Sequence, residues 1–141
     1  PVTITYTITP TSGQGCTGDD FTLDVIVNPE PVYTTNESTT VCSGEISGLT
    51  LPAIDDDGLN ITSYDISADV DANLSGSATV GSNLTGIDLI QNDVFNNITS
   101  TDHEVGYTII PYNGSCAGAS FTRTVTIQPE PVLTPGLTET L

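Results

Sequence analysis

The segment FTLDVIVNPEPV at residues 21–32 returns as FTRTVTIQPEPV at residues 121–132. Cys16 and Gly18, which precede the first copy, have counterparts in Cys116 and Gly118, again 100 residues further on. Self-similarity at a fixed period constrains the fold more than any other feature, because every copy must be the same structural unit. The chain therefore reads as three pieces. Residues 1–31 match the end of a preceding repeat, 32–131 form one complete unit, and 132–141 open the next. Thr40 and Val41 align with Thr140 and Leu141, so the expectation is a window from a longer tandem array. A unit of about 100 residues is large enough for a single sandwich core.

Strand patterns dominate the unit. Val2, Ile4, Tyr6 and Ile8 alternate with threonines, and Phe21, Leu23, Val25 and Val27 repeat the alternation. Val105, Tyr107 and Ile109 do the same, followed by Phe121, Val125 and Ile127. A period of two places one apolar and one polar face on each strand, and branched Thr, Val and Ile suit a half-buried pleated surface. Turns rich in Gly, Asn and Asp separate the strands, which predicts an all-β, antiparallel immunoglobulin-like sandwich. One segment is ambiguous. In residues 87–98, Ile87, Ile90, Val94 and Ile98 fall at helical spacing, whereas Asp88, Ile90 and Asn92 fit a strand followed by a loop; the strand is the expectation. The NPEP and QPEP segments read as short, semi-rigid hinges, since proline fixes its own φ and restricts the residue before it.

Three cysteines leave an odd one, which the repeat resolves. Cys42, in VCSG, opens the complete unit and Cys116, in GSCAG, lies near its end, so a Cys42–Cys116 disulfide is expected. The partner of Cys16 then lies upstream of residue 1. Closing a loop of that size contributes about 4 kcal/mol in the chain-entropy picture. It also implies an oxidising compartment. The alternative is two unpaired cysteines; no CxxC or HxxxH spacing favours zinc.

One basic residue, Arg123, stands against 18 acidic ones, for a formal net charge of −17. Such a surface repels nucleic acid and anionic membranes. No run of 18 apolar residues is present to span a bilayer. The acidity suits cations or basic partners. Asp55, Asp56 and Asp57 before Gly58 put three carboxylates on one turn, a candidate calcium site set against a merely solvated turn. Their spacing is not that of an EF-hand. Asp69 and Asp71 form an alternating pair, and Glu30 and Glu130 in the hinges are further candidates to share a cation with a neighbouring domain. Sequons stand at Asn36, Asn60, Asn73, Asn83, Asn97 and Asn113. His103, between Asp102 and Glu104, has no nucleophile elbow or phosphate loop beside it in sequence, so no enzyme activity is expected. Tyr33 and Tyr112 are the aromatics expected on the surface, as candidate ligand-binding residues.

The TPTSGQGCTG turn, the VNPEPV exit and the VCSG opening together resemble the PKD-like, immunoglobulin-like tandem repeats of giant Bacteroidota cell-surface adhesins. The resemblance covers essentially the whole chain. It implies export by the type IX secretion system and service in surface adhesins or gliding-type filaments. Two departures stand out: TSYDISA carries Ile66 where the family often has Trp, and the WDFGDG signature is absent. The implied function is a structural module of a long extracellular adhesin or filament, with neighbouring repeats of the same polypeptide as partners. A carbohydrate-binding module that contacts surface polysaccharide and a strand-exchanging filament subunit are the alternatives.

Overall fold

The computed structural model describes residues 1–131, so the expected first strand of a next repeat at 132–141 lies outside the described residues. Among the described residues there are strands and turns and no helix. They form two compact units, Pro1–Glu30 and a second beginning at Pro31.

The first unit is one antiparallel hairpin of β1 (Val2–Ile8) and β2 (Phe21–Val27), paired from Val2↔Val27 to Ile8↔Phe21. Two cross-strand side-chain bonds reinforce it, Thr5 Oγ1 to Asp24 Oδ1 at 2.6 Å and Thr9 Oγ1 to Asp20 Oδ1 at 2.5 Å. Alternation is obeyed, yet every side chain on both strands is exposed. Nothing in the unit packs on its apolar face.

The second unit has eight strands: β3 (Glu37–Cys42), β4 (Ser63–Val70), β5 (Leu74–Gly76), β6 (Gly81–Leu84), β7 (Phe95–Asn97), β8 (His103–Asn113), β9 (Cys116–Ala117) and β10 (Phe121–Gln128). The large sheet runs β3-β10-β8-β4-β6, with β9 hairpinned onto the end of β8, and β5 pairs β7 in a small second sheet. This is the expected all-β, immunoglobulin-like sandwich, with one departure from antiparallel pairing. β3 lies parallel to β10, from Glu37↔Arg123 to Cys42↔Gln128. A parallel pair needs a crossover, and the whole of β4 to β9 supplies it.

Period-two alternation builds the core. Val105, Tyr107 and Ile109 on β8, Tyr64 and Ile66 on β4, and Phe121, Val125 and Ile127 on β10 point inward, and Leu49, Leu51, Ile90 and Phe95 cover them. The stretch 88–92 is neither the expected strand nor a helix. It is a pair of turns closed by Gln91 N–H to Asp88 C=O and Asp93 N–H to Ile90 C=O, and strand pairing resumes only at Val94 and β7. The reason is local competition. Ser47 Oγ donates to Ile90 C=O at 2.5 Å, and Asp93 accepts from Thr79 N–H at 2.8 Å and Tyr107 Oη–H at 2.6 Å. These side-chain bonds fix a turn that drives Ile90 fully into the core.

Arg123 is the chain's only Lys or Arg, and it stands in the middle of β10, 1% exposed, on the core-facing side. Its guanidinium lies 5.4 Å from the Tyr33 ring centroid and 5.0 Å from that of Phe121. Nη1 donates to Thr35 C=O at 2.9 Å, and Nη2 lies 3.4 Å from Glu37. Nε has no partner. The corresponding residue of the first unit is Leu23.

Candidate functional site at the two ends of the repeat

The chain enters the second unit beside the β8–β9 hairpin. A Cβ placed on Gly118 would stand 2.1 Å from Pro31 C=O, so only glycine allows the incoming backbone to lie there. Gly118 N–H donates to Pro111 C=O at 2.9 Å, and Gly18 repeats that bond to Pro10 C=O at 2.9 Å. The DDDG turn then clasps the next residues. Asp55 accepts from Val32 N–H at 2.8 Å, Leu59 N–H at 2.7 Å and Asp57 N–H at 3.0 Å. Asp56 accepts from Thr34 N–H and Thr34 Oγ1, each at 2.9 Å. Gly58, at φ 85°, lets the turn close. The amide of Val32, followed by those of Leu59 and Asp57, holds the Asp55 carboxyl below its ordinary range against an opposing contribution from desolvation.

This arrangement gives the acidic turn a structural use. Asp55 and Asp56 turn their oxygens onto peptide N–H groups, and Asp57 contributes its backbone N–H rather than its carboxylate to the clasp. Among the described residues, no group of three or more His, Cys, Asp or Glu side chains converges to hold a metal. The acidic turn is a clasp on the incoming strand.

The chain leaves at the opposite end of β8. There Cys42 pairs with Gln128, Ser43 N–H donates to Gln128 C=O at 2.9 Å, and Glu130 Oε1 would be 3.9 Å from a Cβ on Gly44. Asn97, only 2% exposed, ties this end together. Its Nδ2 donates to Ile127 C=O and to Thr101 C=O, both at 2.8 Å, and its own N–H reaches Ser43 Oγ at 2.9 Å. In sequence Asn97 reads as a sequon; in the fold its amide is occupied and buried, with no room for a glycan.

The two ends also correct the disulfide expectation. Val41 pairs with Ile127, which pairs with His103 at one end of β8; Asn113 pairs with Cys116 at the other. β8 has 11 residues. At about 3.3 Å each it separates the two thiols by about 36 Å. A disulfide needs Cα atoms within about 7 Å. Cys42 is exposed, Cys116 half-buried, and both are free, as is Cys16. The parallel β3–β10 pairing is what sets them apart.

The tyrosines are less exposed than expected and lie on opposite faces of the large sheet. Tyr33 is half-buried against Phe121, ring centroids 4.7 Å apart, and its Oη accepts from Arg123 Nη2 at 3.3 Å. Tyr112 is half-buried on the outer face, where its Oη donates to Asp65 at 3.0 Å, a bond that raises its pKa. A shallow groove beside it is lined by Ser63, Asp65, Ser82 and Asn83. His103 turns away from its sequence neighbours Asp102 and Glu104. Its Nδ1 meets Asp71 Oδ2 at 2.8 Å and its Nε2 lies 3.4 Å from Thr101 Oγ1. Asp71 is held below its usual range by the Asn73 amide first and by His103 second. The adjoining depression carries Asp69, Asp71 and Glu104, carboxylates that oppose the negative charge an acyl transfer develops. The three-residue contact is a surface staple between β8 and the β4–β5 turn.

Sequence reasoning did not place Arg123 in the core, read Asn97 only as a sequon and missed Asp93. None carries a local signal for its buried role, since the partners that bury them, Thr35 for Arg123, Thr79 and Tyr107 for Asp93, and Ser43 and Ile127 for Asn97, are distant in sequence.

The fold and these ends define an immunoglobulin-like module organised around how a chain enters and leaves it. The sequence model of the PKD-like domain matches residues 1–31 and 39–131, and the chain belongs to that family. Domains of this kind are generally non-catalytic and typically extracellular. Among the described residues no helix is long and apolar enough to cross a membrane. No curated protein and no solved structure matches the chain.

Proposed function

We propose that this chain is a structural repeat module of a long extracellular cell-surface adhesin or filament, providing reach, stiffness and multivalency, of the kind that the type IX secretion system exports in Bacteroidota and that gliding filaments use. The observation that carries this reading is polarity: the chain enters at the Gly118 end of β8 and leaves at the Cys42 end. Copies joined through their PEP segments then add length one at a time, with each repeat contacting its neighbours in the polypeptide. The exposed apolar face of β1–β2 fits the same reading, because upstream residues of its own repeat are expected to cover it. If another chain covers it by strand exchange, the intact secreted polypeptide will have the mass of a short subunit. Deleting one repeat from the secreted polypeptide should shorten its contour, measured by atomic force microscopy, by about 36 Å, the span of an 11-residue strand. An unchanged contour would sink the proposal.

A second reading, binding of surface polysaccharide, draws on the half-buried Tyr112 ring beside Asp65, Ser82 and Asn83, a polar groove of the sort that hydroxyl-rich ligands use. Glycan-array binding lost in Tyr112→Ala supports it, and binding that survives this change, or no binding at all, removes it.

A further inference from the structure

We infer that Cys42 forms a disulfide with the next repeat's counterpart of Cys116, so that one cysteine at each end joins neighbouring repeats head to tail. The inference rests on the tandem reading above. It starts from the failure of the internal pairing: the register places Cys42 and Cys116 at opposite ends of β8. Each cysteine therefore stands at one end of the repeat, Cys116 where the chain enters and Cys42 where it leaves.

Chain connectivity supplies the partner. At the exit, Cys42 sits across from Gln128, and the departing hinge passes the turn that follows it, Glu130 beside Gly44. Three residue steps lead from Gln128 to Pro131, which span about 10 Å. Pro131 is the 100-residue counterpart of Pro31, and Pro31 lies against Gly118, two residues from Cys116. The next repeat's counterpart of Cys116 is thus tethered within a few residues of where Cys42 stands. The covalent path holds the two thiols at high effective concentration. Cys42 is exposed and Cys116 half-buried, so both are within reach of an oxidant.

The same pattern accounts for the odd count. On this inference Cys16 and Cys116, counterparts 100 residues apart, each pair with the repeat before, and Cys42 pairs with the repeat after. The three thiols of this chain thus have no partners among one another. The bond forms by two thiol–disulfide exchanges with an oxidised dithiol–disulfide oxidoreductase of the export compartment. One cysteine thiolate attacks the oxidant's S–S bond to give a mixed disulfide. The other thiolate displaces the oxidant as a dithiol, so two electrons pass to it and each cysteine gives up its proton.

The second unit has its own core, so residues 31–131 followed directly by a second copy of 32–131 make a two-repeat chain for the test. One variant keeps only Cys42 of the first copy and Cys116 of the second, the others being Cys→Ser. A reversed variant keeps only Cys116 of the first copy and Cys42 of the second. After oxidation with glutathione disulfide, the first is expected to lose both free thiols while remaining a monomer on non-reducing gels. Peptide mapping should then show the cross-link. The reversed pair should keep its thiols or link only between molecules. Two folded repeats with both thiols free, a disulfide-linked dimer of the first variant, or equal closure of the reversed pair overturns the inference while sparing the tandem reading. A two-repeat chain whose second copy fails to fold, seen as a melting enthalpy no greater than that of 31–131 alone, overturns both.

Discussion

Ile8 faces Phe21 in the first hairpin as Ile109 faces Phe121 in the second unit, and Tyr6 faces Leu23 as Tyr107 faces Arg123. The registers coincide, yet Tyr6 is 51% exposed and Tyr107 0%, Phe21 52% and Phe121 3%. The turn is one residue longer in the first hairpin, with Tyr6 and Tyr107 set 101 residues apart where the cysteines are 100 apart, and the pairing absorbs the difference. Alternation and turn chemistry therefore decide how the two strands pair, independently of what covers them. What burial adds is supplied from elsewhere in the repeat, by Tyr64 and Ile66 of β4 and by Leu49, Leu51, Ile90 and Phe95. A two-stranded ribbon is marginal in water without such a cover.

The contrast is sharpest at position 123. Arg123→Ala should remove a buried stacked cation and leave a cavity, destabilising a 31–131 chain by about 3 kcal/mol in urea unfolding. Arg123→Leu, which installs the residue the first hairpin carries, should lose less than about 1 kcal/mol, because apolar replacements of buried ion pairs are often neutral. Equal losses for the two would mean that the guanidinium contacts, rather than the volume, hold this part of the core.

Gly118 and Gly18 offer the next comparison. Gly118→Ala pushes a methyl into Pro31 C=O and should destabilise by about 2 kcal/mol. Gly18→Ala meets Pro10 alone, nearest at Cγ 3.1 Å away, and should change the thermal melt of the full chain by a degree or so at most, about the effect of an ordinary surface change. A mild Gly118→Ala would show that the incoming segment is free to shift.

Acid should loosen the second unit selectively at its clasp. The Asp55 carboxyl is lowered from 3.8 on folding, so its contribution is intact above that value and is lost as pH falls through the lower folded one. Melting temperature measured from pH 6 to pH 2 should fall at the low end, and Asp55→Asn should flatten that slope. Identical slopes would place the acid sensitivity elsewhere, at Asp71 for example, which is also lowered.

The smallest effect is expected in the uncovered hairpin. Leu23→Ala in the 141-residue chain should alter stability by no more than about 0.5 kcal/mol, since Leu23 has no core to leave. A large loss would reveal a cover absent from the hairpin itself.

The long strands were legible because a period of two survives in sequence whether or not a face is buried. Residues 87–98 were not, since apolar residues at 87, 90, 94 and 98 fit either element and Ser47 and Asp93 settle the matter from a distance. The DDDG turn was visible as acidic but not as a clasp, because carboxylates that bind peptide N–H groups look in sequence like carboxylates awaiting a metal. The cysteine pairing failed for a topological reason: nothing local announces that β3 runs parallel to β10.

That parallel pair has a mechanical consequence. The first and last strands of the repeat lie side by side, joined over six residue pairs, with the incoming chain at one end and the departing chain at the other. Tension applied through the polypeptide would slide β3 against β10 along their length. All the rungs would then be strained together, whereas a terminal hairpin would peel open one rung at a time. A domain wired this way resists being pulled apart along the axis on which an extended surface fibre would be pulled.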